Sequence, residues 1–176
     1  VEMSLIYPLP FSDTSTVRYR SLPHMTYFLI LANSLIFMIW QAPEFYQAQT
    51  VSQLQPYVDK IWLFGYRAVF MWEGQSIGAF ATFTSMFMHA DFFHLFGNMI
   101  YLWTFGRRVE DACGHWRFLL YYLAAGMIAN MGAQLLNLAH IDQPTIGASG
   151  AIAGVMGAYL VLFPGARIDC LWIVGS

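Results

Sequence analysis

The chain has 176 residues, of which 58% are hydrophobic and only 10% charged, and its formal net charge is −2. A soluble globular domain carries roughly 25% charged residues; too few remain here to coat a water-facing surface, so the bilayer is expected to solvate much of the chain. The near-neutral balance gives nucleic acid no electrostatic footing, and two cysteines, Cys113 and Cys170, are too few for a disulfide framework and read as reduced thiols.

In chain order, residues 1–24 read as a cytoplasmic amino-terminal segment. Glu2, Pro8, Pro10 and Asp13 interrupt the place where a cleavable signal would carry its apolar stretch. A first transmembrane helix is expected over about 25–42, flanked by Arg18 and Arg20 before it and Pro43 after. The mixed stretch Glu44–Ser85 follows, with Tyr57, Trp62, Phe64, Tyr66, Phe70 and Trp72 among isolated charges. Amphipathic rings settle in the headgroup zone, which is where this composition fits; a soluble loop packed on itself is the competing reading. The second span is placed at 86–105, its apolar stretch Phe92–Phe105 extended upstream through Met86–Met88. A third follows at 118–139 and a fourth at 146–163, closed by the helix-stop pair Pro164-Gly165. A fifth is expected from 168 onward. Because the chain starts at Val1 and stops inside the apolar run Ile168–Val174, it reads as a fragment. The expected fold class is therefore all-α: a polytopic transmembrane helix bundle whose partial membrane domain occupies 25–176.

Charge placement sets the orientation. With the amino terminus in the cytoplasm and sides alternating at each span, Arg18, Arg20, Arg107, Arg108, Arg117 and Arg167 fall inside. Only Lys60 and Arg67 fall outside, on the long first loop, which is a positive-inside bias. Ser149, His89 and His94 then lie near the outer face, and His24 and His115 near the inner one.

Ser149 stands between Ala148 and Gly150 at the entrance of an apolar helix that ends near Phe163. Such a helix is about 22 Å long against a hydrocarbon core of about 30 Å. Anchored at Pro164 on the inner side, it leaves Ser149 below the outer boundary. There the free N–H groups and positive dipole end of a helix favour a developing oxyanion. A packing role competes with this, because Gly147, Gly150, Gly154 and Gly157 recur at spacings of three and four and let another helix approach closely. His94 and Asn98 are four residues apart and share one helix face, either as oxyanion donors or as an interhelical hydrogen-bonding pair. A zinc site from His89 and His94 is disfavoured: five residues put them about 140° apart on a helix, with no glutamate between. Glu110-Asp111, after Arg107-Arg108, reads as a solvated turn with local ion pairs that contribute little. Asn130 and Gln134 read as polar glue between helices.

Taken together, several of these stretches resemble the rhomboid family of intramembrane serine proteases. They are Thr84-Ser85-Met86-Phe87-Met88-His89, His94 with Asn98, and Gly147-Ala148-Ser149-Gly150. The inner turn, from Phe105-Gly106-Arg107-Arg108 to Gly114-His115-Trp116-Arg117-Phe118, is similar to that of bacterial members. The resemblance covers most of Met25–Arg167. It implies a core of six helices with Ser149 as nucleophile, and an oxyanion hole formed by His94, Asn98 and the Ser149 backbone N–H. It implies no metal and no cofactor. The implied partners are transmembrane protein substrates and the lipid bilayer, with cleavage near the outer membrane face. The implied location is a bacterial inner membrane.

The chain departs from the family pattern in three ways. The dyad histidine, expected in an Ala-His-x-x-Gly setting on a sixth span, is not in this sequence. His140 is external but sits on a loop. Ala153 stands where some members place an aromatic ring, and the first external loop has no Trp-Arg pair. A serine without an adjacent base is a poor nucleophile, so the fragment alone is expected to be inactive. The alternative is a catalytically inactive rhomboid-like protein that binds transmembrane helices.

Overall fold

The computed structural model describes residues 5–13, 20–73, 76–136 and 142–175. It is mostly helical, as expected. The order is strand β1 (Leu5–Asp13), helix α1 (His24–Leu35), a π-helical stretch (Ile36–Gln41), α2 (Ala42–Gln47), α3 (Val51–Phe64), α4 (Ala68–Trp72) and α5 (Ser76–Thr84). A short 3₁₀ turn (Ser85–Phe87) leads to α6 (Phe92–Tyr101), a second π stretch (Leu102–Gly106), α7 (Arg107–Cys113), α8 (His115–Leu136), α9 (Ser149–Leu162) and strand β2 (Ile168–Gly175).

From His24 to Gln47 the helix is continuous. Among the described residues it is the one run both long and apolar enough to cross a membrane by itself, while α9 is apolar but shorter. Its outer side exposes Phe28, Leu31, Leu35 and Met38, spaced as one helical stripe. Its start has no local side-chain cap. The cap comes from α7 instead: the Glu110 carboxylate accepts the Met25 and Thr26 N–H groups at 2.8 and 2.7 Å and the Thr26 hydroxyl at 2.7 Å. Asp111 beside it accepts the Arg20 and Ser21 N–H groups at 2.8 and 2.9 Å. The solvated-turn reading of Glu110-Asp111 is thus corrected for Glu110, which is fully buried. A helix amino terminus is a positive dipole end with free donors, and a carboxylate satisfies both demands.

The second expected span is also corrected at its start. Met86–Met88 do not extend α6. The chain is extended at Met88 and Asp91, and the Asp91 carboxylate caps α6 by accepting the His94 N–H at 2.9 Å. From Phe92 the helix continues through the π stretch into α7, until Gly114 turns the chain at φ +88°. A left-handed glycine ends a helix without a Cβ penalty.

The antiparallel pair α8 and α9 is built on small residues. A Cβ on Gly150 would lie 2.7 Å from Ala129 Cβ, and one on Gly154 would lie 2.5 Å from Ala125 Cβ. Gly157 instead faces open space. The four glycines therefore do not form one face awaiting a further helix, because Gly150 and Gly154 are already covered by α8. Their spacing holds the two helices close, and Tyr121 seals the contact by donating to Gly154 O at 2.8 Å. Asn130 joins elements as expected, donating to Thr82 O and Ser85 Oγ at 3.1 and 2.9 Å.

The expected start of a fifth span is overturned. Ile168–Gly175 forms β2, paired antiparallel with β1 in a two-stranded ribbon whose register runs from Leu5↔Gly175 to Asp13↔Ile168. The run is short and rich in β-branched and aromatic residues, and apolar runs of that length satisfy strand and helix patterns equally. Tyr101 and Thr104 dock the ribbon on the α6 segment by donating to Pro8 O and Pro10 O at 2.7 and 2.9 Å. The segment Glu44–Ser85 is largely helical, with α3–α5 between the end of α2 and the 3₁₀ turn. Thr50 and Gln53 form a capping box at the start of α3, and the Arg67 guanidinium lies over the Trp62 and Phe70 rings at 4.9 and 3.7 Å.

Candidate active site

Ser149 is the first residue of α9. The first intrahelical bond there runs from Ile152 N to Ala148 O at 3.0 Å, so the N–H groups of the opening turn have no partner along the helix. The approach to Ser149 is strapped down on both sides. Tyr66 and Thr145 exchange backbone hydrogen bonds at 2.9 and 2.8 Å, and the Gly147 N–H donates to Ser85 O at 2.9 Å. Gly65 makes room for this strap, because a Cβ there would meet Pro144 Cβ at 2.8 Å. Asn130 holds Ser85 from α8, so the loop before Ser149 is tied directly to Tyr66 and Ser85 and, through Ser85, to α8.

Gly147 sits at φ +122°, outside the range that side-chain-bearing residues readily adopt. A Cβ built on it would lie 2.9 Å from His94 Cε1, 3.0 Å from His94 Nε2 and 3.7 Å from Ser149 Oγ. The imidazole edge and the serine hydroxyl therefore converge on one point, which only a glycine leaves open.

The His94 ring is oriented by its own turn. Its Nδ1 accepts the Ala90 N–H at 3.3 Å, and in a neutral imidazole that makes Nε2 the protonated nitrogen. Nε2–H is the edge turned toward Gly147 and Ser149. Asn98, one turn further along α6, is buried and donates from Nδ2 to His94 O at 2.9 Å. Its bond is to its own helix rather than to a neighbouring one, and the amide keeps a second N–H for another acceptor.

Two residues behind the site were not singled out from sequence in these roles. His89 is fully buried, edge-on to His94 with ring centroids 5.2 Å apart. Its backbone is clamped by Gln41, which donates from Nε2 to His89 O at 3.2 Å and accepts the His89 N–H on Oε1 at 3.1 Å. Gln41 is buried in an apolar span, and a polar side chain there was the available signal.

The other histidines are elsewhere. His24 and His115 lie together, ring centroids 5.2 Å apart, with His115 Nδ1 on the Glu110 carboxylate at 2.5 Å. Glu110's neighbour Asp111 lines a cavity with Phe163, at the opposite end of α9 from Ser149. His140 lies outside the described residues.

A glycine elbow, a serine opening a helix and an Nε2–H donor facing it make a site suited to acyl transfer. Comparison with known proteins gives the family. The family model described as the Rhomboid domain matches residues 77–175. The chain belongs to the rhomboid family. Rhomboid protein 1, mitochondrial, of Saccharomyces cerevisiae is 29% identical over 148 residues, covering 82% of this chain and 38% of that protein. The human presenilin-associated rhomboid-like protein, mitochondrial, is 26% identical over 146 residues, covering 82% and 34%. Rhomboid protease GluP of Bacillus subtilis is 40% identical over 93 residues, covering 53% and 18%. The chain thus spans less than two fifths of the length of each. Rhomboids are membrane-integral, which places this chain in a bilayer. These relatives are mitochondrial as well as bacterial, so the expected bacterial inner membrane is one of two settings they represent.

Proposed function

We propose that this rhomboid chain supplies the nucleophile and the oxyanion-binding side of an intramembrane serine endopeptidase. Its substrates are membrane-anchored proteins, cut near the outer face of the membrane. The observation that carries this reading is the convergence of Ser149 Oγ and His94 Nε2 on Gly147. Ser149 Oγ attacks the scissile carbonyl. The oxyanion that forms is met by His94 Nε2–H, the spare Asn98 amide N–H and the Ser149 backbone N–H, all fixed before reaction. The general base is a histidine from outside these 176 residues, and the chemistry uses no metal or cofactor.

The place for that base follows from α9. Ser149, Ala153 and Gly157 are exposed at successive turns, a strip of small residues beneath the nucleophile. A helix packed on this strip, rather than on Gly150 and Gly154, would reach Ser149 at close range. The positive-inside pattern orients the whole with Ser149 toward the outer face, in the inner membrane if the protein is bacterial.

The complete protein, reconstituted with a membrane-anchored test substrate, should cleave it and lose that activity in Ser149→Ala. Removing His94 or Asn98 should slow turnover by about 10²–10³ per donor while leaving substrate binding in place. Cleavage unchanged in Ser149→Ala would overturn the nucleophile assignment. Substrate binding with no cleavage by the unmodified protein would support the inactive, helix-binding alternative.

A further inference from the structure

Two cavities are lined by residues on consecutive turns of the helix where the π stretch passes into α2, and neither is lined by Ser149, His94 or Asn98. One, of about 240 Å³, is bounded by Ile36, Trp40, Phe64, Phe83, Thr84 and Phe87. Its lining is apolar apart from the Thr84 hydroxyl, which is committed to Phe64 O at 2.8 Å. The other, of about 300 Å³, is bounded by Pro43, Glu44, Gln47 and Gln53.

An ion pair joins them. Glu44 lies one turn after Trp40, and its Oε1 meets Lys60 Nζ at 2.7 Å. Lys60 also donates to Trp40 O at 2.7 Å and rests 4.6 Å from the centre of the Trp40 ring. Trp40, at the mouth of the apolar cavity, is thus in contact with the ammonium that pairs with the carboxylate of the polar one.

Neither charge is saturated. An ammonium has three N–H donors, and two of those on Lys60 are accounted for. Glu44 Oε2 is buried and has no hydrogen-bond partner among the described residues. A buried carboxylate oxygen without a donor is rare, because leaving it unpaired is costly. The pair therefore offers one open donor to an anion and one open acceptor to a cation, side by side, next to the Trp40 ring that lines the apolar cavity.

We propose that this is a binding site for a phospholipid whose headgroup carries a primary ammonium, of the phosphatidylethanolamine class. The phosphate takes the remaining Lys60 N–H, the headgroup ammonium donates to Glu44 Oε2, and an acyl chain enters the cavity beside Trp40. Phosphatidylcholine has no N–H to give Glu44, and phosphatidylglycerol brings no cation, so both fit less well. The site is independent of the catalytic reading and rests only on the chain being membrane-embedded.

Native mass spectrometry of the complete protein, given equal amounts of these three lipids with identical acyl chains, tests the assignment. The ethanolamine lipid should be retained about tenfold more than either competitor. Glycerophosphoethanolamine, which has the headgroup and no chains, should not displace it. E44Q should remove the preference while leaving total lipid retention unchanged. Equal retention of all three lipids, displacement by the chainless headgroup, or an E44Q protein that keeps the preference would each overturn the proposal. If E44Q fails to fold, the headgroup series on the unmodified protein decides alone.

Discussion

A methyl group at Gly147 would meet two obstacles at once. The backbone is at φ +122°, and the new carbon would lie 2.9 Å from His94 Cε1. Backbone held in such a region costs a non-glycine residue on the order of 1–3 kcal/mol. The His94 ring must also move away from Ser149. Gly147→Ala should therefore reduce cleavage by the complete protein by about 10²–10³, what the loss of one oxyanion donor costs. It should lower stability by only about 1–3 kcal/mol, so activity and melting temperature measured together separate displacement of the site from unfolding. At the same scale, Glu110 shows how a neighbouring sequence misleads. Beside Arg107, Arg108 and Asp111 it reads as a surface charge, yet its carboxylate is fully buried against the start of α1. The contact spans more than eighty positions, and nothing local announces it. Glu110→Gln keeps the shape but leaves one oxygen to serve the Met25 and Thr26 donors. It should cost about 1.5–3 kcal/mol, the worth of hydrogen bonds to a charged group, read as a lowered denaturation midpoint with the helix content otherwise intact.

At the level of elements, α9 shows how far a spacing pattern carries. The glycine repeat correctly announces a close helix contact, because Gly150 and Gly154 touch Ala129 and Ala125. What periodicity cannot supply is the identity of the partner, since a smooth face fits any helix that reaches it. The four glycines also differ in role: Gly147 serves the turn before Ser149, two serve α8, and Gly157 faces open space. Gly154→Ala should push the helices apart and destabilise the chain by about 1–3 kcal/mol. The gain in helix propensity, about 1 kcal/mol, does not offset that. Gly157→Ala, where a Cβ meets nothing, should keep that gain and stabilise this chain by about 0.5–1 kcal/mol. Comparing the two variants by denaturation in the same detergent tests the division. A larger loss at Gly157 than at Gly154 would refute it. The second span starts later than its apolar run for a related reason: Met86–Met88 are apolar enough to continue a helix, but Asp91 three residues later is a stronger start signal, and its carboxylate takes the His94 N–H.

For the whole molecule, composition and long apolar runs carried the helical class and the resemblance of short motifs carried the family, whereas the ends of the chain did not follow them. Ile168–Gly175 pairs with Leu5–Asp13 across almost the full sequence. A mostly apolar run of eight residues contains no information on whether its partner is lipid or another strand. The site lies between these extremes: spacing and resemblance point to Ser149, His94 and Asn98, while the strap through Tyr66 and Ser85 and the Gln41 clamp on His89 depend on contacts between distant segments. The orientation is the largest-scale expectation, and it rests on which loops hold the arginines. It predicts that Val51, at the exposed start of α3, faces outward, and that Gly165, in open space after α9, faces the cytoplasm. In a background with Cys113→Ala and Cys170→Ala, Val51→Cys should react with a membrane-impermeant maleimide in intact cells or organelles. Gly165→Cys should react only after permeabilisation. Both substitutions fall where the added side chain meets nothing, so labelling reports topology rather than misfolding. The reverse pattern would place Ser149 at the inner face and move the predicted cleavage point to the other side of the bilayer. Labelling of both positions from outside would mean that one or all of the three spans expected between them fail to cross, and would overturn this orientation.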